Sequence, residues 1–321
     1  MNNVSQHSMD FILIILGLVG LVIGAELTIK GALRIAQYYG FSHTFVGLTV
    51  LALGTDLPEL SIVLAGSIEN SLGGAVSDIL VGEVIGSAMS QIMIVLGILG
   101  LFRPTTVKAY SVLRDGTVAL LAVLMVFFFS LDGQLVGSEG GVMILLYVVY
   151  LVWLYTQERG QYTKSVVEEK DSMFWSILFL LAGFGILAGA AQVTLGSAVA
   201  LSSYFGIPQY IVGFYVIGLG TSLPELVTSF VALKRRASGM AVGNILGSNI
   251  LDLLLVLGVG SVVSDLWVSS GVVRLDLPFL CGVTFFVLLF LFRAKKLSKK
   301  ISITLVLGYI LFSFLRFILI V

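Results

Sequence analysis

The chain has 321 residues, 58% of them hydrophobic and only 11% charged, with 18 basic and 18 acidic residues in balance. That composition excludes an ordinary soluble domain, which must keep its apolar surface out of water, and makes the bilayer the solvent. No nucleic-acid or protein partner is implied; the partner that composition points to is the lipid bilayer.

A helix crossing the hydrocarbon core needs about 20 mostly apolar residues. Gly and Pro breaks divide the sequence into ten such stretches, at 10–33, 43–68, 77–101, 112–131, 138–157, 173–197, 208–232, 239–263, 274–292 and 301–320. The expected fold class is therefore an all-α integral membrane protein with ten transmembrane helices. Residues Met1 to Asp10 contain no Lys or Arg and no small-residue cleavage site, so the first stretch is expected to be retained. The single Cys281, in the ninth stretch, reads as a structural thiol, and the isolated His7 and His43 suggest no role.

Charge is distributed with a bias. If the N-terminus starts outside, 16 of the 18 Lys and Arg residues fall in or beside the loops after the first, third, fifth, seventh and ninth stretches. Only Arg274 and Arg316 lie on the other side. The positive-inside rule then puts both termini outside.

The second half repeats the first. At an offset of 166 residues, Gly54-Thr55-Asp56-Leu57-Pro58-Glu59-Leu60 falls on Gly220-Thr221-Ser222-Leu223-Pro224-Glu225-Leu226. Gly40 likewise falls on Gly206 and Gly47 on Gly213; at an offset of 161, Val81 to Ser87 falls on Val242 to Ser248. Five helices per copy is an odd number, so the second copy enters the membrane from the opposite face, and a binding site is expected where the copies meet at the midplane. The expected division is a first repeat at 1–157 with motif helices 43–68 and 77–101, a cytoplasmic linker at 158–172, and a second repeat at 173–321 with motif helices 208–232 and 239–263.

Ionisable residues inside the bilayer are costly and usually face a partner, an ion or water. Asp56, Glu59, Glu83, Glu225 and Asp252 lie in the motif helices with no Lys or Arg in those spans, which points to a bound cation. Pro58 and Pro224 lack a backbone N–H, so each should break its helix about one turn upstream and free carbonyl oxygens near Leu53 and Gly54 or near Leu219 and Gly220. Thr55 and Glu59, and Thr221 and Glu225, are spaced by four, as are Glu83, Ser87 and Gln91 and their counterparts Asn244, Ser248 and Asp252. These groups can supply an all-oxygen cage suited to Ca²⁺ or Na⁺. No Cys or His joins them, so zinc or copper is not expected; no phosphate-binding loop or nucleophile and base pair is evident, so neither ATP-driven transport nor enzymatic activity is expected. Glu26 with Lys30 has the spacing of a local ion pair, and Glu83, about two turns outward of Gln91, belongs either to the cage or to an external vestibule, its role left open.

The segments Gly47 to Glu59 and Gly213 to Glu225, each followed by a Gly-x-x-x-Gly-Ser helix, resemble the two repeats of the sodium/calcium exchangers over nearly the whole chain. The resemblance implies Na⁺ for Ca²⁺ antiport without a cofactor, with Glu59 and Glu225 binding Ca²⁺ and Thr55, Thr221, Ser222, Ser87, Ser248 and Asp252 forming sodium sites. It also implies that the first and sixth helices slide past the other eight. Asp56 stands where that family usually has Ser, Gln91 where Asn or Asp is common, and Glu83 where the other repeat keeps Asn244. Carboxylates so close together cannot all ionise cheaply, so proton competition is expected. The alternative reading is H⁺-coupled exchange of Ca²⁺ or another divalent ion; a passive cation channel is disfavoured, because tight midplane binding slows conduction.

Overall fold

The computed structural model describes residues 2–73, 76–106, 109–158, 173–204 and 212–320. In chain order the helices are α1 (Asn2–Tyr39), α2 (His43–Thr55), α3 (Leu57–Ser71), α4 (Ser77–Phe102), α5 (Ala109–Phe129) and α6 (Gly137–Glu158). They continue as α7 (Met173–Tyr204), α8 (residues 212–221), α9 (Leu223–Lys234), α10 (Ser238–Val263), α11 (Val272–Ala294) and α12 (Lys299–Ile320). Eight of these are long and apolar enough to cross a membrane, and α2 with α3, bent by 46°, makes a ninth if the pair is one span. The hydropathy stretches coincide with these helices, α1 running further at both ends. The stretches 43–68 and 208–232 are each split in two. Beyond Glu158 the expected linker lies outside the described residues, as do Gly206, Lys108, Arg159, Lys164 and Lys170.

Two short antiparallel ladders reveal the repeat geometry. β1 (Thr105–Thr106) pairs with β4 (Lys296–Leu297), and β2 (Gln134–Leu135) pairs with β3 (Leu266–Trp267). β3 lies 161 residues after β1 and β4 lies 162 after β2, so the internal repeat carries one ladder onto the other. Helix α5 runs between β1 and β2, which puts the two ladders at opposite ends of the bundle. The repeats are therefore inverted. The end holding β1 and β4 carries Arg103, the run Lys234 to Arg236 and the cluster Arg293 to Lys300, with the Arg103 guanidinium donating to the Leu233 carbonyl at 3.3 Å. The other end carries Asp132, Glu139 and Asp265, the last accepting from the Gly137 amide at 3.0 Å.

The motif helices α4 and α10 form the centre, each 83% buried along its span, against 22 to 44% for α1, α5, α6, α7, α11 and α12. Glycine permits the crossings, because bilayer helices gain contact by close backbone approach. A Cβ at Gly86 of α4 would lie 2.7 Å from the Phe214 carbonyl oxygen of α8, and one at Gly247 of α10 would lie 2.7 Å from that of Leu48 in α2. These two contacts are repeat equivalents, so each motif helix packs on the broken helix of the opposite half. α1 and α7 pack along one another at the side. Single π-helical turns open at Gln91 in α4 and Asp252 in α10, again 161 apart, and three more lie at Gly47–Leu51, Val212–Ile217 and Val272–Asp276. Such turns widen a helix locally and often mark functional sites.

Two buried carboxylates are neutralised within the fold. Arg316 of α12 grips Asp276 of α11 with two parallel bonds of 2.7 and 2.8 Å. At the repeat-equivalent position on α5, Asp115 takes Arg114 at 2.7 and 3.0 Å and the Tyr150 hydroxyl at 3.2 Å, while Arg114 also reaches Glu158 at 3.0 Å. Each network ties adjacent helices together. The expected Glu26–Lys30 pair does not form. The Glu26 carboxylate accepts from Arg235 at 2.5 and 3.2 Å, and the Lys30 ammonium lies 4.4 Å from the centre of the Phe179 ring on α7. Tertiary neighbours outcompete the local spacing, because an Arg fork and an aromatic face both sit within reach at this end.

Removing one partner of a buried pair strands the other charge. Arg316→Met should therefore cost about 3 to 5 kcal/mol in equilibrium unfolding in mixed micelles, and adding Asp276→Leu should recover most of it; equal stability of parent and single variant would show that the pair contributes nothing.

Candidate cation-binding site

Both proline motifs break their helices at one residue. The chain leaves helical geometry at Asp56 (φ −84°, ψ 8°) and at Ser222 (φ −77°, ψ 0°), each two residues before the proline. The break is thus closer to the proline than the full turn expected. The amide of Asp56 still reaches the Ala52 carbonyl at 3.0 Å, and helical bonding resumes with Leu60 to Asp56 at 3.0 Å and Leu226 to Ser222 at 3.1 Å. Pro58 and Pro224 cannot donate to Gly54 and Gly220, so those carbonyls lose their usual partner. On the outside of the first break, Phe184 of α7 covers Gly54 so closely that a Cβ there would lie 2.0 Å from its ring.

The two breaks bring carboxylates from both halves together. Asp56, Glu59 and Glu225 each offer an oxygen, and these oxygens lie within 4.8 Å of one another. All three side chains are essentially without solvent exposure, and none of their oxygens has a hydrogen-bond partner of ordinary geometry. Asp252, on the π turn of α10, stands beside this trio and repels Glu59 and Asp56. Among the described residues none of these carboxylates makes an ion pair. Burying unpaired charge costs far more than the surrounding fold can absorb, so the arrangement requires cations or protons for neutrality.

A chain of hydroxyls and amides links the two motif helices through the second break. Ser222 lies 3.1 Å from Ser87 and 2.8 Å from Ser90, oxygen to oxygen, and donates to the Gly218 carbonyl at 3.0 Å. The Gln91 amide donates to Ser87 at 3.1 Å and to Asp252 at 3.2 Å, and its carbonyl accepts from Asn249 at 2.7 Å. Ser248 is buried beside Asp56 with its hydroxyl oxygen unpartnered. Thr55 and Thr221 are also buried, but their hydroxyls turn back on carbonyls of their own helices, Leu51 at 3.0 Å and Gly218 at 3.4 Å. The spacing of four that placed them with Glu59 and Glu225 assumes an unbroken helix, and each break falls inside that interval.

The burial of Glu83 decides between the two placements its sequence position left open. The side chain is fully buried rather than in a vestibule, with both oxygens unpartnered, close enough to repel Glu59 and Asp252. Its repeat counterpart Asn244 donates to Thr228 at 3.3 Å and Ser229 at 3.2 Å. The positions equivalent to that Thr and Ser are Ile62 and Val63, which offer nothing to a carboxylate. Sequence reasoning missed Ser90, Asn249 and Tyr147, the last buried on α6 within the field of Asp56 and Asp252. Ser90 and Asn249 correspond to Leu251 and Ala88 in the other repeat, so a search for matched polar pairs passes over both.

The family model for the sodium/calcium exchanger protein matches residues 9–156 and 175–318. The inner membrane protein YrbG of Escherichia coli is 31% identical over 78% of this chain and 79% of its own. The sodium/calcium exchanger MaX1 of Methanosarcina acetivorans is 25% identical over 95% and 97%. The solved structure of the sodium-calcium exchanger NCX_Mj soaked with 2.5 mM Na⁺ and 0.1 mM Ca²⁺ superposes with a TM-score of 0.81 at 28% identity, covering 94% of this chain and 97% of that one. With both halves matched, the inverted repeat shared and the paired proline motifs meeting at buried carboxylates, this chain belongs to the sodium/calcium exchanger protein family.

Proposed function

We propose that the protein is a secondary antiporter of the prokaryotic cell membrane that exchanges Na⁺ for Ca²⁺ at the carboxylate cluster by alternating access. The observation that carries this reading is the trio Asp56, Glu59 and Glu225, with oxygens within 4.8 Å of one another and, among the described residues, no ion pair to a basic side chain. Two oxygens on opposite sides of a calcium ion, each about 2.4 Å away, are separated by about that distance. Glu59 and Glu225 supply the central Ca²⁺ ligands. Thr55, Thr221, Ser222, Ser87, Ser248, Gln91 and Asp252 complete that shell or hold Na⁺ around it, using hydroxyl and amide oxygens that also serve the hydrogen-bonded chain. In this reading α2 with α3 and α8 with α9 are each one broken span, which gives ten transmembrane helices in two repeats, 1–157 and 173–321. The basic end faces the cytoplasm with the linker 158–172, and both termini are outside.

Overlapping ligands make the exchange obligatory, since Na⁺ and Ca²⁺ need the same carboxylates. Access alternates as α1 and α7 slide over the rest, with Phe184 riding over Gly54. The Glu26–Arg235 pair between α1 and α9 is about 40% exposed on each side chain, and exposed pairs contribute only about 0 to 1 kcal/mol. It is therefore no obstacle to that movement. One Ca²⁺ leaves at least one charge of the trio over, and Asp56 is the member of the trio that has no carboxylate counterpart in the other repeat. That surplus favours a co-bound proton or Na⁺, and supports H⁺-coupled exchange as the second reading.

Proteoliposomes loaded with Na⁺ should take up ⁴⁵Ca²⁺ and those loaded with K⁺ should not, and Glu59→Ala or Glu225→Ala should abolish uptake. Uptake driven only by an imposed pH gradient would favour the second reading. Protons compete with cations for the cluster, so wild-type uptake should fall as pH falls; Asp56→Ser and Asp56→Asn should retain more of their uptake at acidic pH than the parent. An unchanged pH profile in both variants would remove Asp56 from the coupling.

A further inference from the structure

We propose that the groove between α4, α11 and α12 is a binding site for an anionic phospholipid of the leaflet at the basic end. The groove encloses about 590 Å³ and is lined almost wholly by apolar side chains, among them Met93, Phe286, Phe290 and Ile301. Its one lining hydroxyl that could interrupt this, Thr304, donates to the Lys300 carbonyl at 3.1 Å, so it makes no demand on an occupant. Phe286 and Phe290 are 56% and 50% exposed, which opens the groove sideways toward the acyl region of a bilayer.

Length and charge select the occupant. From Lys300 at its mouth to Gly308, the groove follows eight residues of α12, about 12 Å at 1.5 Å per residue. That is close to the depth of one leaflet, half of the roughly 30 Å hydrocarbon core. At the mouth, Arg293, Lys295, Lys296, Lys299 and Lys300 are all exposed, and among the described residues none of them makes an ion pair. An acyl chain fills the groove while the lipid phosphate and its added negative charge meet Lys299 and Lys300. Basic pockets between transmembrane helices recognise anionic headgroups by this combination. The bound chain lies against Met93, which sits in the π turn Gln91–Val95 that also carries Gln91 to Asp252.

Native mass spectrometry of the intact detergent-solubilised chain, titrated with phosphatidylglycerol or with phosphatidylcholine of the same acyl chains, reads the site without any transport assay. Its failure is therefore separable from failure of the exchange reading. Phosphatidylglycerol should be retained at concentrations on the order of tenfold lower than phosphatidylcholine. Lys299→Gln with Lys300→Gln should abolish that preference and leave phosphatidylcholine binding unchanged, Thr304→Phe should weaken both lipids by filling the groove, and Arg274→Gln at the opposite end should change neither. Equal retention of the two lipids by the parent chain, or a preference that survives in the double lysine variant, overturns the proposal.

Discussion

Uncompensated negative charge in a low-dielectric interior is the constraint on which the rest of this structure depends. Asp56, Glu59, Glu83, Glu225 and Asp252 are buried where an isolated ionised carboxylate is expensive, and among the described residues no Lys or Arg pairs with them. A fold can hold such groups only if something mobile supplies the missing charge. Elsewhere the same chain answers the same problem internally: Asp115 and Asp276, also buried and also repeat-related, each have an arginine in bidentate contact. Fixed countercharge thus marks the carboxylates that tie helices together, and among the described residues the central cluster lacks it.

The inverted repeat converts one local motif into a two-sided site. Each half brings a helix broken at the second residue before proline and a continuous motif helix with a π turn, and each continuous helix packs by a glycine on the broken helix of the other half. Because the halves run in opposite directions, the two breaks approach one another from opposite faces and meet at mid-depth. The short ladders β1 with β4 and β2 with β3 fasten loops from different halves at either end. The centre can then hold closely spaced like charges without the halves separating.

Symmetry is broken where the chemistry needs it. Asp56 faces Ser222 across the repeat, Gln91 faces Asp252, and Glu83 faces Asn244. Gln91 bonds to its own counterpart, whereas Ser222 bonds not to Asp56 but to Ser87 and Ser90 of the other half. Glu83 has no such partner, because Ile62 and Val63 replace the hydroxyls that satisfy Asn244. The first half consequently carries more of the buried negative charge.

Hydropathy, proline placement and the internal repeat were legible in the sequence, because they depend on local chain chemistry. Apolar runs of bilayer length need no tertiary partner to be recognised, a proline breaks a helix wherever it stands, and Glu59 recurring as Glu225 166 residues on makes the paired motifs visible. What only the tertiary structure decided are pairings over long separations and departures from regular helix geometry. Arg235 takes Glu26 from Lys30 across 209 residues, and Asn249 reaches Gln91 across 158. The breaks at Asp56 and Ser222 fall inside the spacing of four that joins Thr55 to Glu59 and Thr221 to Glu225, and Glu83 is fully buried. Such contacts are set by how crossing helices present their faces to one another, which depends on the packing of the whole bundle and leaves no periodic trace in the chain.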